Sequence, residues 1–297
     1  MKLLPLPEAI ARYVPPGGSV AMGTALESLI PFAAGHELIR QGRRDLELIG
    51  PISDMLFDQL IGAGCVRRIV AAWVGNVSAG LGHNYRRAVE QGIPNGLELE
   101  EHSNFSIGLG LLAAAMGVPF LPTRTLLGSD LADCNPRLRP GEQKGLLYVD
   151  AIEPDVVILH VQRADAEGHA HCWGNLGVSR EAGLAAKGAI LIAEEIVPTD
   201  VILSDPNRVL LPPHRVLAVA HVPGGAHPSP VQGHYARDHA YFSAYHEATR
   251  GRAGFEAWLQ EWVLEVPDRA RYLNKLGQAW PSLMPQERRL AAPVDYA

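Results

Sequence analysis

The sequence predicts an α/β fold, a mostly parallel sheet with helices on both faces, followed by a helical C-terminal extension. Three observations carry this expectation. Short apolar runs alternate with longer stretches of helical spacing, the β-α repetition of a parallel sheet. The run Val156, Val157, Ile158, Leu159 has no polar face, as a strand buried on both sides requires. From Tyr241 onward the pattern turns helical, and Phe255, Trp258, Leu259, Trp262 and Val263 fall at i, i+3, i+4, i+7 and i+8. That stripe reads as a packing helix.

Residues 18–22 form a short strand that enters Gly23-Thr24, and 26–39 follow with helical spacing. A second strand covers 46–49. A short helix over 54–62 is capped by Ser53 or Asp54, and a third strand spans 66–73. A Gly-rich loop (75–80), a helix near 85–91 and a short strand at 97–99 come next. A small-residue helix over 103–116 ends at Gly117. The segment 124–145 carries Gly128, Pro136, Pro140 and Gly141 and reads as a long irregular loop, usually a functional or mobile feature. Strands resume at 156–160, 189–192 and 216–220. With no linker or repeat in view, the expectation is one domain over 1–297, of which 240–297 is the helical extension.

Composition narrows the function classes. The chain has 297 residues, 47% hydrophobic and 20% charged, the profile of a globular protein with a sizeable core. A net charge of −6 with Lys and Arg scattered as pairs offers no basic face, so nucleic-acid binding is not expected. Cys65, Cys134 and Cys172 show no CxxC spacing and leave an odd thiol, which suits a reducing cytoplasm. The N-terminus, cut by Pro5 and Pro7, lacks the apolar core of a signal peptide, and no run is long enough for a membrane helix.

Several loops hold groups suited to chemistry. Beyond the strand at 156–160 lie Gln162, Arg163, Asp165 and Gly168, where ligands sit in open α/β sheets; an ordinary surface turn is the alternative. Gly23-Thr24 forms a tight strand-to-helix elbow whose amides can hold an oxyanion, although close packing accounts for Gly23 equally well. Glu100, Glu101, His102, Ser103 and Asn104 gather acid, base, hydroxyl and amide at a strand-to-helix junction, and helix capping explains part of that. His169 and His171 have metal-ligand chemistry, but their i, i+2 spacing has no second ligand cluster to complete it, so no metal is expected. Gly224–Pro230 can be a simple turn or bring backbone close to a ligand. No GxSxG elbow is present.

Read in order, the blocks PPGGSVAMGTALESLIP, EEHSNF with GVPFLPTRTLLGSD, HVQRADAEGHAHCWG, GGAHPSP and HYARDHAYFSAYHEATR resemble the A (alpha) subunit of family I coenzyme A transferases, most closely the glutaconate branch. Met22 and Thr24 depart from the family's Gly-Gly-Phe wording in the first block. The resemblance implies an enzyme that moves CoA between an acyl-CoA and a (di)carboxylic acid. A glutamate belonging to the B subunit then attacks the thioester and passes through anhydride and glutamyl-CoA states. This chain carries no nucleophile of its own. It needs a B partner, as αβ or α2β2, and holds CoA as substrate, with no tightly bound cofactor.

The same resemblance assigns substrate and CoA contacts to Gly23, Thr24, Ser78, Gly80, Gly128, Ser129, Asp130, Gln162, Arg163, Gly225 and Ala226. Glu101, Ser103 and Asn104 become supporting catalytic candidates. Arg163 is expected either to pair with Asp165 or to face a substrate carboxylate. The alternative is a ring-cleaving CoA-ester hydrolase of the same family, in which the A chain carries the catalytic glutamate. That glutamate matches near Asn104, an amide that cannot act as a carboxylate base; Glu101 turned inward would restore the hydrolase reading.

Overall fold

An eight-stranded sheet organises the chain, and the computed structural model describes residues 1–285. The strands on its main path are β1 (Ser19–Ala21), β2 (Leu46–Ile52), β3 (Val66–Trp73), β4 (Glu98–Glu101), β5 (Val156–Ala164), β6 (Ala189–Ile196) and β7 (Val216–His221). Their spatial order is β7-β6-β5-β1-β2-β3-β4, and every neighbouring pair is parallel. A two-residue strand, Ala170–His171, adds to β5 antiparallel. The chain runs outward from β1 through β2 and β3 to β4, then returns to β5 on the other side of β1. Carboxyl ends flanking such a reversal form the crevice where α/β sheets take ligands.

Both faces of the sheet are covered. The longer helices are α1 (Leu6–Tyr13), α2 (Phe32–Arg40), α3 (Met55–Gly62), α4 (His83–Gln91), α5 (Asn104–Met116), α6 (Ser179–Ala185), α7 (His239–Ala248), α8 (Arg252–Leu259) and α9 (Arg269–Leu276). On one face Ile10, Phe32, Leu38, Phe57, Phe242 and Phe255 pack on Val20, Leu48, Val156, Ile158 and Ile190. On the other, Ile107 and Leu111 of α5 and Ala182 of α6 pack on Ala21, Ile49, Val157, Leu159 and Leu191. Alternate residues of β5 therefore enter opposite cores, which is why its sequence has no polar face. The aromatic stripe is a packing stripe. Phe255, Trp258 and Val263 are buried and Leu259 and Trp262 partly so, the last turn winding as a π-helix over Gln260–Leu264.

Some expected boundaries move. The helix predicted over 26–39 starts only at Phe32, because Pro31 precedes it and Leu26 and Leu29 adopt left-handed backbone at φ 63° and 55°. The prolines near the N-terminus begin a helix: Pro5 caps α1 and Pro7 lies in its first turn, where a missing N–H costs nothing. The segment 124–145 holds a short helix, Asp130–Cys134, and a strand, Leu138–Pro140. That strand joins Phe120–Thr123 and Leu147–Asp150 in a separate antiparallel sheet. β5 continues to Ala164, so Gln162 and Arg163 are strand residues rather than loop residues. Part of the expected extension, 286–297, lies outside the described residues.

Candidate active site at the carboxyl edge of the sheet

The elbow after β1 is shaped by close packing. Gly23 has φ +66°, and a Cβ there would lie 2.1 Å from Ser53 Oγ and 2.7 Å from Ser53 Cα. Ser53, in the turn after β2, donates its hydroxyl to Met22 O at 3.1 Å, so the ends of the two strands are bolted together. Thr24 is buried, and its hydroxyl lies 2.8 Å from Ser179 Oγ at the start of α6.

Beside this elbow the ends of β2 and β3 carry a charged cluster. Asp54 is fully buried at the start of α3 and accepts from Val77 N at 3.0 Å and from Arg237 Nη2 at 2.6 Å. Burial pushes the Asp54 carboxyl up, with the Arg237 guanidinium opposing it. Ser78 sits at the exposed tip of a small ribbon formed by Gly75–Asn76 and Gly80–Leu81. Its hydroxyl accepts from Arg237 Nε at 3.2 Å and Nη2 at 3.0 Å and lies 3.4 Å from His239 Nδ1. Gly80, in the same ribbon, is exposed at φ +118°.

The loop after β7 is clamped from both sides. Gly224 N donates to Glu194 Oε2 at 2.8 Å, and Glu194 also receives Tyr235 OH at 2.6 Å and meets His160 Nε2 at 2.7 Å. Burial works against ionisation of Glu194, yet these contacts hold its carboxyl below the usual range. From α9, Arg269 donates to Gly224 O at 2.8 Å and His227 O at 2.6 Å. Gly225 N donates to Val222 O and Ala226 N to the Tyr235 hydroxyl, so neither amide points into open space. Gly225 and Ala226 form a rigid wall.

His227 in this loop is fully buried between Asp238 Oδ2 at 3.1 Å and Tyr272 OH at 3.0 Å. Burial drives its imidazole down to about 4, against the pull of Asp238. His36 is lowered by burial in the same way. Since the unfolded imidazole protonates first, near pH ~6.5, both histidines contribute stability that is complete above that pH and declines as the medium is acidified. For His227 the loss from pH 6.5 to 4 amounts to about 3 kcal/mol. The urea midpoint is expected to fall between pH 7.5 and pH 5; an unchanged midpoint would contradict this burial.

At the end of β4 the structural role prevails. Glu100 is buried and bound by Arg137 Nε at 2.7 Å, His102 Nε2 at 2.9 Å and the Arg68 guanidinium. Burial alone would raise its carboxyl, but the His102 hydrogen bond and the two arginines bring it down to about 2. His102 Nδ1 lies 3.1 Å from Ser106 Oγ, a Ser-His-Glu relay in outline. Its hydroxyl is sealed, because Ser106 is fully buried and forms a capping box with Ser103 at the start of α5. Ser103 therefore spends its hydroxyl on the cap, while Asn104 and Glu101 are exposed. Glu101 borders a shallow crease of about 20 Å³ with Trp73, Tyr85 and Leu99.

The remaining candidates fall into separate settings. Gln162 is fully buried and holds Trp173 by both backbone groups, at 2.9 and 3.3 Å. Arg163 pairs with Glu195 at 3.1 Å and lies over the Trp173 ring, whereas Asp165 binds His169 Nδ1 at 2.7 Å and Thr199 Oγ1 at 2.7 Å. The expected Arg163–Asp165 pair does not form, because the strand pairing that sets Arg163 beside Glu195 gives it the nearer carboxylate. His171 Nε2 meets Ile202 O at 2.8 Å, so His169 and His171 serve different partners. Gly128, at φ +77°, leads through Ser129 and Asp130 into the short helix Asp130–Cys134. Asn135, just after that helix, donates to Glu101 O, which sets this segment against the outer edge of β4.

A parallel sheet with glycine elbows and polar loops at its carboxyl edge now stands beside a direct match. Residues 5–221 fit the family model described as Coenzyme A transferase. The chain belongs to the coenzyme A transferase family. It is 42% identical over 283 residues to the A subunit of the 3-oxoadipate CoA-transferase of Pseudomonas knackmussii, covering 93% of this chain and 99% of that one. It is 32% identical over 300 residues to the A subunit of the glutaconate CoA-transferase of Acidaminococcus fermentans, covering 93% and 92%. The crystal structure of that glutaconate enzyme superposes with a TM-score of 0.90 over 99% of both chains at 31% identity. A cholesterol ring-cleaving hydrolase IpdA subunit of Mycobacterium tuberculosis is more distant, at 28% over 180 residues covering 56% of this chain and 62% of that one. The expectation of an A chain stands, and with it a CoA-transferase that works with a B subunit. Among the described residues no helix is long and apolar enough to cross a membrane.

Sequence reasoning passed over three residues in this coenzyme A transferase chain. Asp54 was expected only as a helix cap, yet its side chain caps nothing and holds Arg237 instead. Arg237 lies within the HYARDHAYF block, and its placement just ahead of a helix, beside the capping Asp238, was the available signal. Glu194 follows the apolar run of β6 and gave no signal, since its partners lie far away in sequence.

Proposed function

We propose that this chain is the A half of a cytoplasmic transferase that moves CoA between an acyl-CoA and a dicarboxylic acid. CoA enters and leaves as substrate, and the B subunit supplies the attacking glutamate. That carboxylate adds to the thioester carbonyl and expels CoA thiolate, leaving an acyl-glutamyl anhydride. The thiolate attacks the glutamyl carbonyl of the anhydride, releases the first acid and leaves glutamyl-CoA, and the acceptor acid reverses the sequence. The observation that carries this reading is the 42% identity, across nearly the whole length, to the corresponding chain of a 3-oxoadipate CoA-transferase. The sealed state of Glu100 and the shallow setting of Glu101 favour a nucleophile from elsewhere over the hydrolase alternative.

In this reading Gly23, Thr24, Ser78 and Gly80 floor the cleft, and Gly225 and Ala226 wall it. Ser103 and Asn104 fix the helix start, Gln162 and Arg163 hold the Trp173 loop, and 128–130 flank the outer side. Water must be kept from the anhydride, so the cleft closes only when the B subunit covers this floor. The chain alone is expected to show no CoA transfer, and the co-expressed pair to transfer CoA from acetyl-CoA to glutaconate or 3-oxoadipate. Borohydride after incubation with acetyl-CoA is expected to inactivate the pair by reducing a B-subunit glutamyl thioester. Full activity from this chain alone, or reduction on a glutamate of this chain, would refute the assignment.

A further inference from the structure

We propose that Arg237, braced by Asp54 and Ser78, is the receptor for the second carboxylate of the acid substrate. This rests on the transferase reading above and names what makes the acid a dicarboxylate. The Arg237 side chain is only 9% exposed. Its Nη2 is taken by Asp54 and Ser78 and its Nε by Ser78, while its guanidinium carbon lies over the Phe242 ring, 3.7 Å from the centroid. Nη1 is buried and has no hydrogen-bond partner among the described residues. A guanidinium fixed on three sides holds its one remaining nitrogen, Nη1, at a set angle, a preorganised donor for a carboxylate oxygen.

The surroundings argue for that ligand. Ser78, exposed at the ribbon tip, can turn its own O–H toward an incoming oxygen while still accepting from Arg237. His239 stands exposed on the other side of that hydroxyl. Asp54 balances the Arg237 charge, so the two form a neutral pair with unmet N–H donors rather than a strong anion trap. Such a site discriminates by geometry: an acid lacking the second carboxylate leaves the donors unpaired and is rejected. Glu27, exposed and close enough to act on Asp54, adds a negative charge that a phosphate group would feel more than a singly charged carboxylate. The cluster also lies beside the Gly23 elbow, through the Ser53–Asp54 turn that joins them.

The test uses the co-expressed pair with acetyl-CoA as donor and two acceptors of equal carbon number, glutarate and pentanoate. In Arg237→Gln the ratio of glutarate to pentanoate kcat/KM is expected to fall about 100-fold, mainly through the KM for glutarate. Ser78→Ala, which leaves the buried ion pair intact, is expected to lower the same ratio about 10-fold and covers the case in which the arginine variant does not fold. Calorimetric titration with glutarate alone reads the site without turnover: the unaltered pair should bind glutarate measurably more tightly than pentanoate, and Ser78→Ala should weaken that preference. Equal losses for both acids would overturn the proposal and leave Arg237 a structural ion-pair partner of Asp54. A rise in KM for acetyl-CoA but not for acetyl-pantetheine would overturn it in favour of a CoA phosphate. No preference for glutarate in the titration would also overturn it, whether or not the pair transfers CoA. Binding without transfer to any acid would instead refute the transferase reading alone.

Discussion

Gly23→Ala is expected to cost the fold about 3–5 kcal/mol and to remove most transfer activity from the assembled pair. Two effects add. The left-handed backbone at φ +66° is strained for alanine by about 1–2 kcal/mol. The new methyl would also sit 2.1 Å from Ser53 Oγ and 2.7 Å from Ser53 Cα, and backbone cannot move aside as a side-chain tip can. Adding Ser53→Gly removes the clashes with the serine side chain but leaves the backbone clash and the strain, so only partial rescue is expected. Chemical denaturation followed by tryptophan fluorescence reads both changes. A wild-type midpoint for Gly23→Ala would mean that the elbow relaxes freely and is not the rigid floor described above.

Glu100→Gln should destabilise the chain by about 3 kcal/mol at neutral pH, through structure and not through catalysis. The amide leaves Arg68 with Glu47 at 3.5 Å and Arg137 with Ala151 O, while His102 loses a carboxylate partner. The pH dependence identifies the cause. With the folded carboxyl near 2 and the unfolded one at its ordinary value of about 4.5, the stabilisation is complete above pH ~4.5 and vanishes as pH falls toward 2. The gap between wild type and variant should close over that window. A loss of activity above 1,000-fold with unchanged stability would instead make Glu100 part of the chemistry.

What the sequence showed plainly was whatever the main chain and the apolar pattern dictate. β3 and β7 stand where apolar runs bounded by polar residues placed them, because burial on two faces leaves an unambiguous pattern. The start of α5 at Ser103 was readable for a similar reason, since capping is local chemistry. Leu26 and Leu29 were not readable. Nothing in a leucine announces a left-handed backbone, and only the packed surroundings hold it there.

The candidate site can be read in the sequence as a set of loops but not as contacts. Glycine elbows and polar loops pointed to the carboxyl edge, but Arg237 finds Asp54, and Glu100 finds Arg137, only after the sheet has assembled. Such long-range polar pairs leave no periodic trace. The same holds for Gln162: a polar residue just beyond the expected strand at 156–160 suggested a ligand contact, and the structure gives its amide to the Trp173 backbone.

Arg269 and Tyr272 reach back from α9 to fasten the turn at 224–227. A ribosome makes every strand of the main sheet before it makes that helix, so a nascent chain can lay down its scaffold while one rim of the cleft is still loose. The rim sets last. Until α9 docks, the turn lacks the three hydrogen bonds that Arg269 and Tyr272 supply.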